Sequence, residues 1–471
     1  MTTVYKTHIV KCSCGAPLGQ GKKMPAVLID FDGIHEITHE SKRCTNKGQD
    51  PCRKYFGYNF TSQSKCQLNT VRLADVSVLF VQNNLAFSIK YLEYHDCLQF
   101  RGYLSSGAIG FGGNEVLWRG NDEAYTPNAF VRYYQDARFL RLAMQEFEKL
   151  GDDHLFSIEV GNEISEASLR SYDVHCHGEE FPPPRPGLVT AIVGDGHEKV
   201  AVKVCAGQDA PMKKHSTNKK NEEAVSIPYT NGWWMLVNPD DLRILAVCHM
   251  KEPENNEIVI DSLASVLPKY KKCDTFVYDR ACRVKPEIAR KRLFPQLKYL
   301  IVDKLHAHPD PRKGHVKECA CNPYSHPRLM RRLCANGELK KVNGTAAEQV
   351  FAWFRGYART LNEMRPVRHK FVVLYYSTCH NNMIDDGDTS HLNQYSAKTK
   401  ALKKKVVGYA CRPSKAMMKS KKTMRKAMVK SKKIMRKATM KSKKTMRKAM
   451  VKSKKVMRKA TMKSKQTMRK A

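Results

Sequence analysis

Three acidic residues stand where a site for two divalent cations would need them. Asp195 ends an apolar run and is set between two glycines, Asp279 ends a short β-rich run, and Glu348 lies near the start of an amphipathic helix. Hard cations such as Mg²⁺ and Mn²⁺ prefer oxygen ligands, and two of them about 4 Å apart stabilise both the attacking and the leaving oxygen of a phosphodiester displacement. The three contexts therefore indicate metal-dependent cleavage of phosphodiesters.

A second kind of metal site is indicated by cysteines near the N-terminus. The four cysteines are Cys12, Cys14, Cys44 and Cys52. Four thiolates in two pairs can enclose one tetrahedral Zn²⁺, and a site with protein ligands alone would be structural. The N-terminus lacks the apolar core of a secretory signal, which favours thiols or zinc ligands over disulfides. His39 and Cys66 are alternative ligands.

Metal-binding residue types are also concentrated between Asp279 and Glu348. They are His306, His308, His315, Cys319, Cys321 and His326. One interpretation is a second zinc site made from His306 or His308 with His315, Cys319 and Cys321. The alternative is a solvated loop whose imidazoles contact DNA phosphates.

Several motifs around these residues resemble one family. They are Gly194-Asp-Gly-His, Tyr278-Asp-Arg-Ala-Cys, Asp303-Lys-Leu-His-Ala-His, Cys321-Asn-Pro-Tyr and Thr345-Ala-Ala-Glu-Gln-Val-Phe-Ala-Trp-Phe. The chain is similar in these motifs to eukaryotic DDE-type transposases of the KDZ (Kyakuja-Dileera-Zisupton) group, which carry cysteine clusters before a nuclease core with the RNase H fold. The resemblance implies that Asp195, Asp279 and Glu348 are the metal ligands. It makes Asp303, which also ends an apolar strand, a neighbour of Asp279.

The order of patterns along the chain predicts an α/β protein in four parts. Residues 1–68 form a zinc module, 70–177 a helical region, 188–400 an RNase H-like core with a His/Cys-rich insertion, and 401–471 a disordered basic tail. Apolar spacing predicts helices over Val71–Tyr94 and Asn128–Leu150. The core strands are predicted at Leu188–Val193, Lys199–Cys205, Leu242–Cys248, 274–279 and Tyr299–Asp303, with helices near Ile258 and Glu348.

The net charge of +38 favours a polyanionic partner, with nucleic acid ahead of a membrane surface. From Met418 the chain repeats with a period of eleven and carries 24 lysines and arginines without an acid, which leaves +14 for the rest. Such a tail is expected to be disordered alone, to bind nucleic acid without sequence choice and to direct the protein to the nucleus. A translated satellite repeat without function and a membrane-surface helix are the alternatives.

The expected function is DNA strand cleavage and strand transfer by two Mg²⁺ or Mn²⁺ ions, with structural Zn²⁺ elsewhere. The expected partners are DNA and, by analogy, other copies of the chain, and no membrane. A non-enzymatic DNA-binding protein derived from a transposase is the competing class. A third possibility is a haloacid-dehalogenase-like phosphatase, because Val27-Leu-Ile-Asp-Phe-Asp-Gly resembles its nucleophile loop, with Asp30 as nucleophile and Asp32 as acid and base.

Overall fold

A computed structural model gives the structure of most of the chain. It describes residues 3–47, 51–63, 66–69, 72–105, 108–109, 127–151, 164–183, 189–202, 230–303, 306–307, 325 and 342–392. The chain divides into two units, Met1–Val407 and Gly408–Ala471, and all described residues belong to the first. The prediction for the tail lies outside the described residues. In the described part, no helix is both long and apolar enough to cross a bilayer.

The first sheet is built from eight strands in the N-terminal part of the chain. These are β1 (Val4–Lys6), β2 (Lys22–Asp30), β3 (Gly33–Arg43), β4 (Tyr55–Phe56), β5 (Phe60–Gln63), β6 (Cys66–Asn69), β7 (Val78–Gln82) and β8 (Leu85–Ser88). Their order is β6-β5-β4-β3-β2-β8-β7, and β1 pairs with β3. The long antiparallel hairpin β2–β3 is the centre of this sheet.

The helix predicted over Val71–Tyr94 was wrong between Val78 and Ser88, where the chain forms β7 and β8. The segment from Val78 to Val81 is continuously buried. A short, continuous run of apolar residues has no periodicity that would distinguish a helix from a strand. The helix begins only at Ile89, because the Ser88 hydroxyl caps it by accepting a hydrogen bond from the Tyr91 N–H.

The second sheet has five strands. They are β9 (Ala191–His197), β10 (Trp233–Val237), β11 (Ile244–His249), β12 (Thr275–Val277) and β13 (Tyr299–Ile301). The order is β11-β10-β9-β12-β13. Strand β10 is antiparallel to both β9 and β11, whereas β12 runs parallel to both β9 and β13.

Two details of this sheet differ from the prediction. The second strand is Trp233–Val237 rather than Lys199–Cys205, of which residues 199–202 are described and are not strand. The first strand continues past Val193 to His197 and so contains Asp195. Strand β10 is buried at all five positions, so it lacks the alternation that marks a half-exposed strand.

Eight α-helices accompany the sheets in the described part. They are α1 (Ile89–Gly102), α2 (Pro127–Glu148), α3 (Glu166–His175), α4 (Asn256–Val266), α5 (Ala281–Arg290), α6 (Ala346–Phe354), α7 (Ala358–Leu361) and α8 (Pro366–Asp385). Helices α4 and α5 pack on one face of the second sheet, around Ile192 and Trp234. Helices α6 and α8 pack on the other face, around Val193 and Met235.

The core on the α6 and α8 face extends into the N-terminal part of the unit. It includes Ile29 of β2 and Phe87 of β8 together with Val193 of β9. A buried ion pair adds to this connection, because Arg138 of α2 donates to Asp96 of α1 and also, at 2.8 Å, to the Tyr376 hydroxyl of α8. The N-terminal sheet, the helices and the second sheet therefore share one continuous core.

Candidate metal-binding sites

The four predicted cysteine ligands converge on one point. The Sγ atoms of Cys12, Cys14, Cys44 and Cys52 all lie within 4.8 Å of one another. The Cys12–Cys52 and Cys14–Cys44 sulfur pairs are each 3.5 Å apart. A tetrahedron with Zn–S bonds of about 2.3 Å has edges of about 3.8 Å, so the spacing fits a Zn(Cys)₄ centre.

Local backbone structure positions these sulfurs. Residues Cys12–Gly15 form a turn in which the Cys12 N–H donates to Ala16 O and the Gly15 N–H donates to Cys12 O. The Asn46 N–H lies 3.5 Å from Cys44 Sγ. Burial opposes ionisation of Cys12, but the Cys14 N–H and the neighbouring thiols outweigh it and lower the pKa of Cys12 to about 6. The Asn46 N–H counteracts the opposite shift at Cys44, but burial and the same thiols raise the pKa of Cys44 to about 12, so Zn²⁺ would have to displace a proton there.

His39 is not available as a substitute ligand. Its ring is fully buried, with Nδ1 2.9 Å from Asn83 O and Nε2 accepting from the Tyr58 N–H at 3.2 Å. Both ring nitrogens are therefore occupied, and the imidazole stacks on Phe80 at 4.4 Å. Its role is in the core of the first sheet. Cys66, the other alternative ligand, is the first residue of β6.

The phosphatase-like motif and the Gly194-Asp-Gly-His motif lie on different sheets. Asp30 ends β2 in the first sheet and accepts a hydrogen bond from the Ser88 hydroxyl at 2.8 Å. Asp32 is in the exposed tip of the β2–β3 hairpin and contacts His35 at 2.7 Å. The Gly194–His197 motif belongs to β9 of the second sheet. Asp30 thus stabilises a hairpin turn in this structure.

The register of the second sheet aligns three carboxylates. Val277 of β12 is paired with Val193 of β9 and with Ile301 of β13. Counting two residues onward on each strand gives Asp279, Asp195 and Asp303. Neighbouring strands are about 4.8 Å apart, so these acids lie side by side at the carboxyl ends of three parallel strands. The motif resemblance made Asp303 a neighbour of Asp279, and the two residues follow adjacent paired strands, β13 and β12.

The two glycines beside Asp195 are required by close contacts. A Cβ atom at Gly194 would lie 2.6 Å from Trp234 Cζ2, and one at Gly196 would lie 2.1 Å from Glu254 Oε2. Side chains alternate along a strand, so both glycines face the α4 side, whereas Asp195 faces the α6 side together with Val193. The Gly-Asp-Gly pattern therefore reflects close packing on one face and a carboxylate on the other.

Helix α6 carries Glu348 to the same side of the sheet. Ala347, Val350 and Phe351 are buried against β9 and β10, and Glu348 in the first turn is only half-buried. Phe351, one turn after Glu348, stacks on the His197 ring of β9 with 4.8 Å between centroids. The helix and the strand that carry two predicted ligands are thus in direct contact.

The surroundings of the predicted ligands oppose their ionisation, although His306 partly offsets this effect at Asp279 and Glu348. Burial, then repulsion from Asp279 and Glu254, raises the pKa of Asp195 to about 8. Burial also raises the pKa values of Asp279 and Glu348, and Asp303 adds to both shifts. Asp279 Oδ1 is shielded from solvent and has no hydrogen-bond partner in the described part of the structure. An orphaned carboxylate oxygen among repelling carboxylates is what a bound cation would stabilise.

Two further residues at this site were not assigned a role from the sequence. Glu254 accepts a hydrogen bond from the Tyr278 hydroxyl and contributes to the raised pKa of Asp195. Buried Asp303 accepts hydrogen bonds from the His306 backbone N–H and from its ring Nδ1, at 3.1 and 2.5 Å. Glu254 had no signal in the sequence, since it follows a polar Lys-Glu-Pro segment without periodicity.

The second predicted zinc site can be assessed only at His306, whose Nδ1 bonds to Asp303. His308, His315, Cys319, Cys321 and His326 lie outside the described residues. Within the described ranges, the four N-terminal cysteines are the group that brings three or more metal-ligand atoms within 4.8 Å of one another. The carboxylates of the second sheet do not reach this spacing in the described part.

The described structure thus contains two sites of different chemistry. The cysteine cluster suits a soft, structural Zn²⁺, and the carboxylate cluster supplies the oxygen ligands that Mg²⁺ or Mn²⁺ prefers.

Comparison with models of protein families, with curated proteins and with solved structures gives no match to this chain.

Proposed function

We propose that this protein is a DDE-type DNA transposase, or derives from one, and that it cleaves and joins DNA strands at the carboxylate cluster. The observation that carries the proposal is the alignment of Asp195, Asp279 and Asp303 at the ends of three adjacent parallel strands, with the Glu348 helix packed on the same face. Carboxylates held together in this way on rigid elements are uncommon without a cation or a catalytic task.

The topology of the second sheet supports the same proposal. An antiparallel β9–β10–β11 meander is followed by β12 and β13, which join parallel to the β9 side, and this is the strand order of an RNase H-like core. A fold alone does not define an activity, so the argument depends on the residues at the strand ends. These lie in the motifs that resemble the KDZ transposases.

Asp195, Asp279 and Glu348 would hold the cations, since their oxygens face one side of the sheet. Two Mg²⁺ or Mn²⁺ ions bound there would activate a water or a DNA 3′-hydroxyl for attack on phosphorus and stabilise the leaving oxygen. Asp303 and His306 border the ligands, and Glu254 stands behind Asp195 on the opposite face. No covalent bond between the protein and DNA is required.

The remaining parts of the chain have supporting roles in this proposal. The Zn(Cys)₄ centre would stabilise the outer part of the N-terminal sheet, which has only a small apolar cluster around Phe56. The basic repeats would bind DNA nonspecifically and favour a nuclear location. Two DNA ends must be held together for transposition, so an oligomer is expected.

Nicking of a supercoiled plasmid by the full chain tests the proposal. We expect Mn²⁺-dependent nicking by the wild type and a loss of about a hundredfold or more in Asp279→Asn and Glu348→Gln, since each removes a ligand. Asp261→Asn, an exposed position on α4, is the matched control and should retain activity. If none of the proteins nicks the plasmid although all are folded and loaded with zinc, the non-enzymatic DNA-binding alternative is favoured. Equal nicking by all of them would refute this assignment of ligands.

A further inference from the structure

The long hairpin β2–β3 carries opposite charges at its two ends. Lys22 begins β2 and Arg43 ends β3, so both stand at the open end, whereas Asp30 and Asp32 stand at the turn. Eight residues of about 3.3 Å each separate Lys22 from Asp30, which gives about 26 Å. That distance exceeds the Debye length of about 8 Å at physiological salt, so the acids at the turn leave the charge at the open end in place.

The cysteine cluster gathers more cations at this open end. Three of its cysteines adjoin a basic residue in the chain, in the pairs Lys11–Cys12, Arg43–Cys44 and Cys52–Arg53. The four sulfurs lie within 4.8 Å of one another, so the neighbouring bases are drawn to one region of the surface. All three basic side chains are exposed. In the part of the chain that the structure describes, none of them forms an ion pair with a carboxylate.

An aromatic ring lies among these cations. Tyr55 is paired with Arg43 across β4 and β3, and the Arg43 guanidinium lies 5.4 Å from the centre of the Tyr55 ring. The Tyr55 side chain is 45% exposed, whereas the next residue, Phe56, is buried. Lys54 is held at the same end, because its Nζ donates to the Ser13 hydroxyl at 2.8 Å. The region therefore offers solvent both positive charge and an aromatic surface.

Strand register places Lys22 on the same face as Arg43 and Tyr55. Lys22 is paired with the residue two positions before Arg43 on β3. Paired residues share a face of a sheet, as do residues two apart on one strand, and all three residues lie within their strands. The next pair, Lys23 and Glu40, projects from the opposite face. The acid nearest in register is thus on the other side of the sheet.

We propose that this surface of the first sheet, the basic end, binds a single-stranded stretch of nucleic acid. The basic end consists of Lys11, Lys22, Arg43, Arg53 and Tyr55. Exposed cations contact the phosphates of a strand, and a tyrosine ring beside them is a surface on which an unpaired base stacks. The inference goes beyond the proposed function, because it does not depend on the carboxylate cluster.

Photo-cross-linking of the full, zinc-loaded chain tests the basic end. The probe is an oligothymidine of about 12 nucleotides that carries one iododeoxyuridine, whose base cross-links to aromatic rings stacked on it. It is irradiated with the protein without added Mg²⁺ or Mn²⁺, and mass spectrometry locates the cross-links.

Tyr94 is the internal control for this experiment. It is 51% exposed, and its ring lies 5.3 Å from that of Phe31, between Asp30 and Asp32 at the acidic end of the same hairpin. Because the two tyrosines belong to one chain, nucleic acid bound elsewhere on that chain affects both measurements. We expect at least about tenfold more cross-link at Tyr55 than at Tyr94, the effect of one stacked base.

Two charge reversals test whether the cations carry the binding. Arg53→Glu should lower the yield at Tyr55 about tenfold, since it removes a phosphate contact and adds repulsion. Lys22→Glu should act in the same direction and changes a residue that adjoins no cysteine, so it tests the charge if Arg53→Glu loses zinc. Arg290→Glu, the same change at an exposed position of α5, is the matched control and should leave the yield unchanged.

The outcomes separate this inference from the proposed function. Equal yields at Tyr55 and Tyr94, or an unchanged yield in Lys22→Glu with its zinc retained, would overturn the basic end as a binding surface. An equal yield from a fully paired duplex with the same iododeoxyuridine would overturn the assignment to a single strand. Asp279→Asn should cross-link as the wild type does, so a failure of plasmid nicking leaves this surface in place, and nicking without a cross-link at Tyr55 would remove it alone.

Discussion

Asp195 should make the binding of divalent cations depend strongly on pH. Its carboxyl group is half-buried beside Asp279 and Glu254, and this partial burial and the two acids raise its pKa to about 8. A cation must therefore displace a proton from Asp195 near neutral pH, because the ionised form is the ligand. The perturbation that isolates this effect is Asp195→Asn, which keeps the shape of the side chain and removes the titration.

The size of the effect follows from the ionised fraction. With a pKa of about 8, roughly 1% of Asp195 is ionised at pH 6 and about half at pH 8, so the apparent affinity should rise about 50-fold over that range. The same shift affects stability without metal. The folded chain retains a proton that the unfolded chain loses near pH 4, so the free energy of unfolding decreases as pH rises from about 4 to 8. Bound Mn²⁺ should reverse that decrease.

Electron paramagnetic resonance of free Mn²⁺ during a titration of the zinc-loaded full chain measures this directly. The wild type should bind Mn²⁺ much more tightly at about pH 8 than at about pH 6, and Asp195→Asn should bind weakly with little dependence on pH. The same weak pH dependence in the wild type, or unchanged affinity in Asp195→Asn, would refute the argument that Asp195 is a half-buried, proton-competing ligand.

Three other substitutions test the structure. Cys44→Ser should lower the zinc content by one ion per chain by atomic absorption, whereas Cys97→Ser, at an exposed thiol outside the cluster, should leave it unchanged. Asp96→Asn leaves buried Arg138 without a carboxylate and Arg141 with only the longer contact to Glu93, so it should cost about 3–5 kcal/mol in urea unfolding; a cost below 1 kcal/mol would contradict the buried pair. Gly194→Ala should cost about 1–3 kcal/mol through its contact with Trp234, and an unchanged melting temperature would show that the contact relaxes freely.

Much of the carboxylate site could be predicted because its residues carry local signals. Asp195 and Asp279 follow apolar runs, and Glu348 precedes a clear helical stripe of buried residues. The cysteine cluster also had a local signal. Two pairs of cysteines on either side of a predicted strand suggest a turn and a second segment that together bind one metal. The structure confirms that the four thiols converge. The cysteine pairs could be found from spacing alone, whereas the choice of the three acids depended on the motifs that resemble the KDZ transposases.

The rest depends on pairing between distant segments. Nothing within Tyr299–Asp303 shows that its register with β12 places Asp303 beside Asp279. Glu254 reaches the site because Gly196 leaves room for its carboxylate. His39 has the residue type of a ligand, and only the positions of Asn83 and Tyr58 show that both of its nitrogens are used. Such assignments require the tertiary fold.

The predicted secondary structure failed where burial removed periodicity. Val78–Gln82 and Trp233–Val237 are short strands that are buried on nearly every side, and each was missed. Both faces of each strand pack against apolar side chains, so neither strand has the polar residues that would mark an exposed face. Lys199–Cys205 was predicted as the second strand instead of Trp233–Val237, although its described part serves as a connection held by Asn362.

The central claim is that Asp279 binds the catalytic cation, and Asp279→Cys tests it most directly. A thiolate in place of the carboxylate is a poor ligand for Mg²⁺ and a better one for softer ions such as Mn²⁺. In the plasmid-nicking assay, Asp279→Cys should be inactive with Mg²⁺ and should recover measurable nicking with Mn²⁺, while Asp279→Asn stays inactive with both. Nicking by Asp279→Cys at the wild-type rate with Mg²⁺ would contradict the claim.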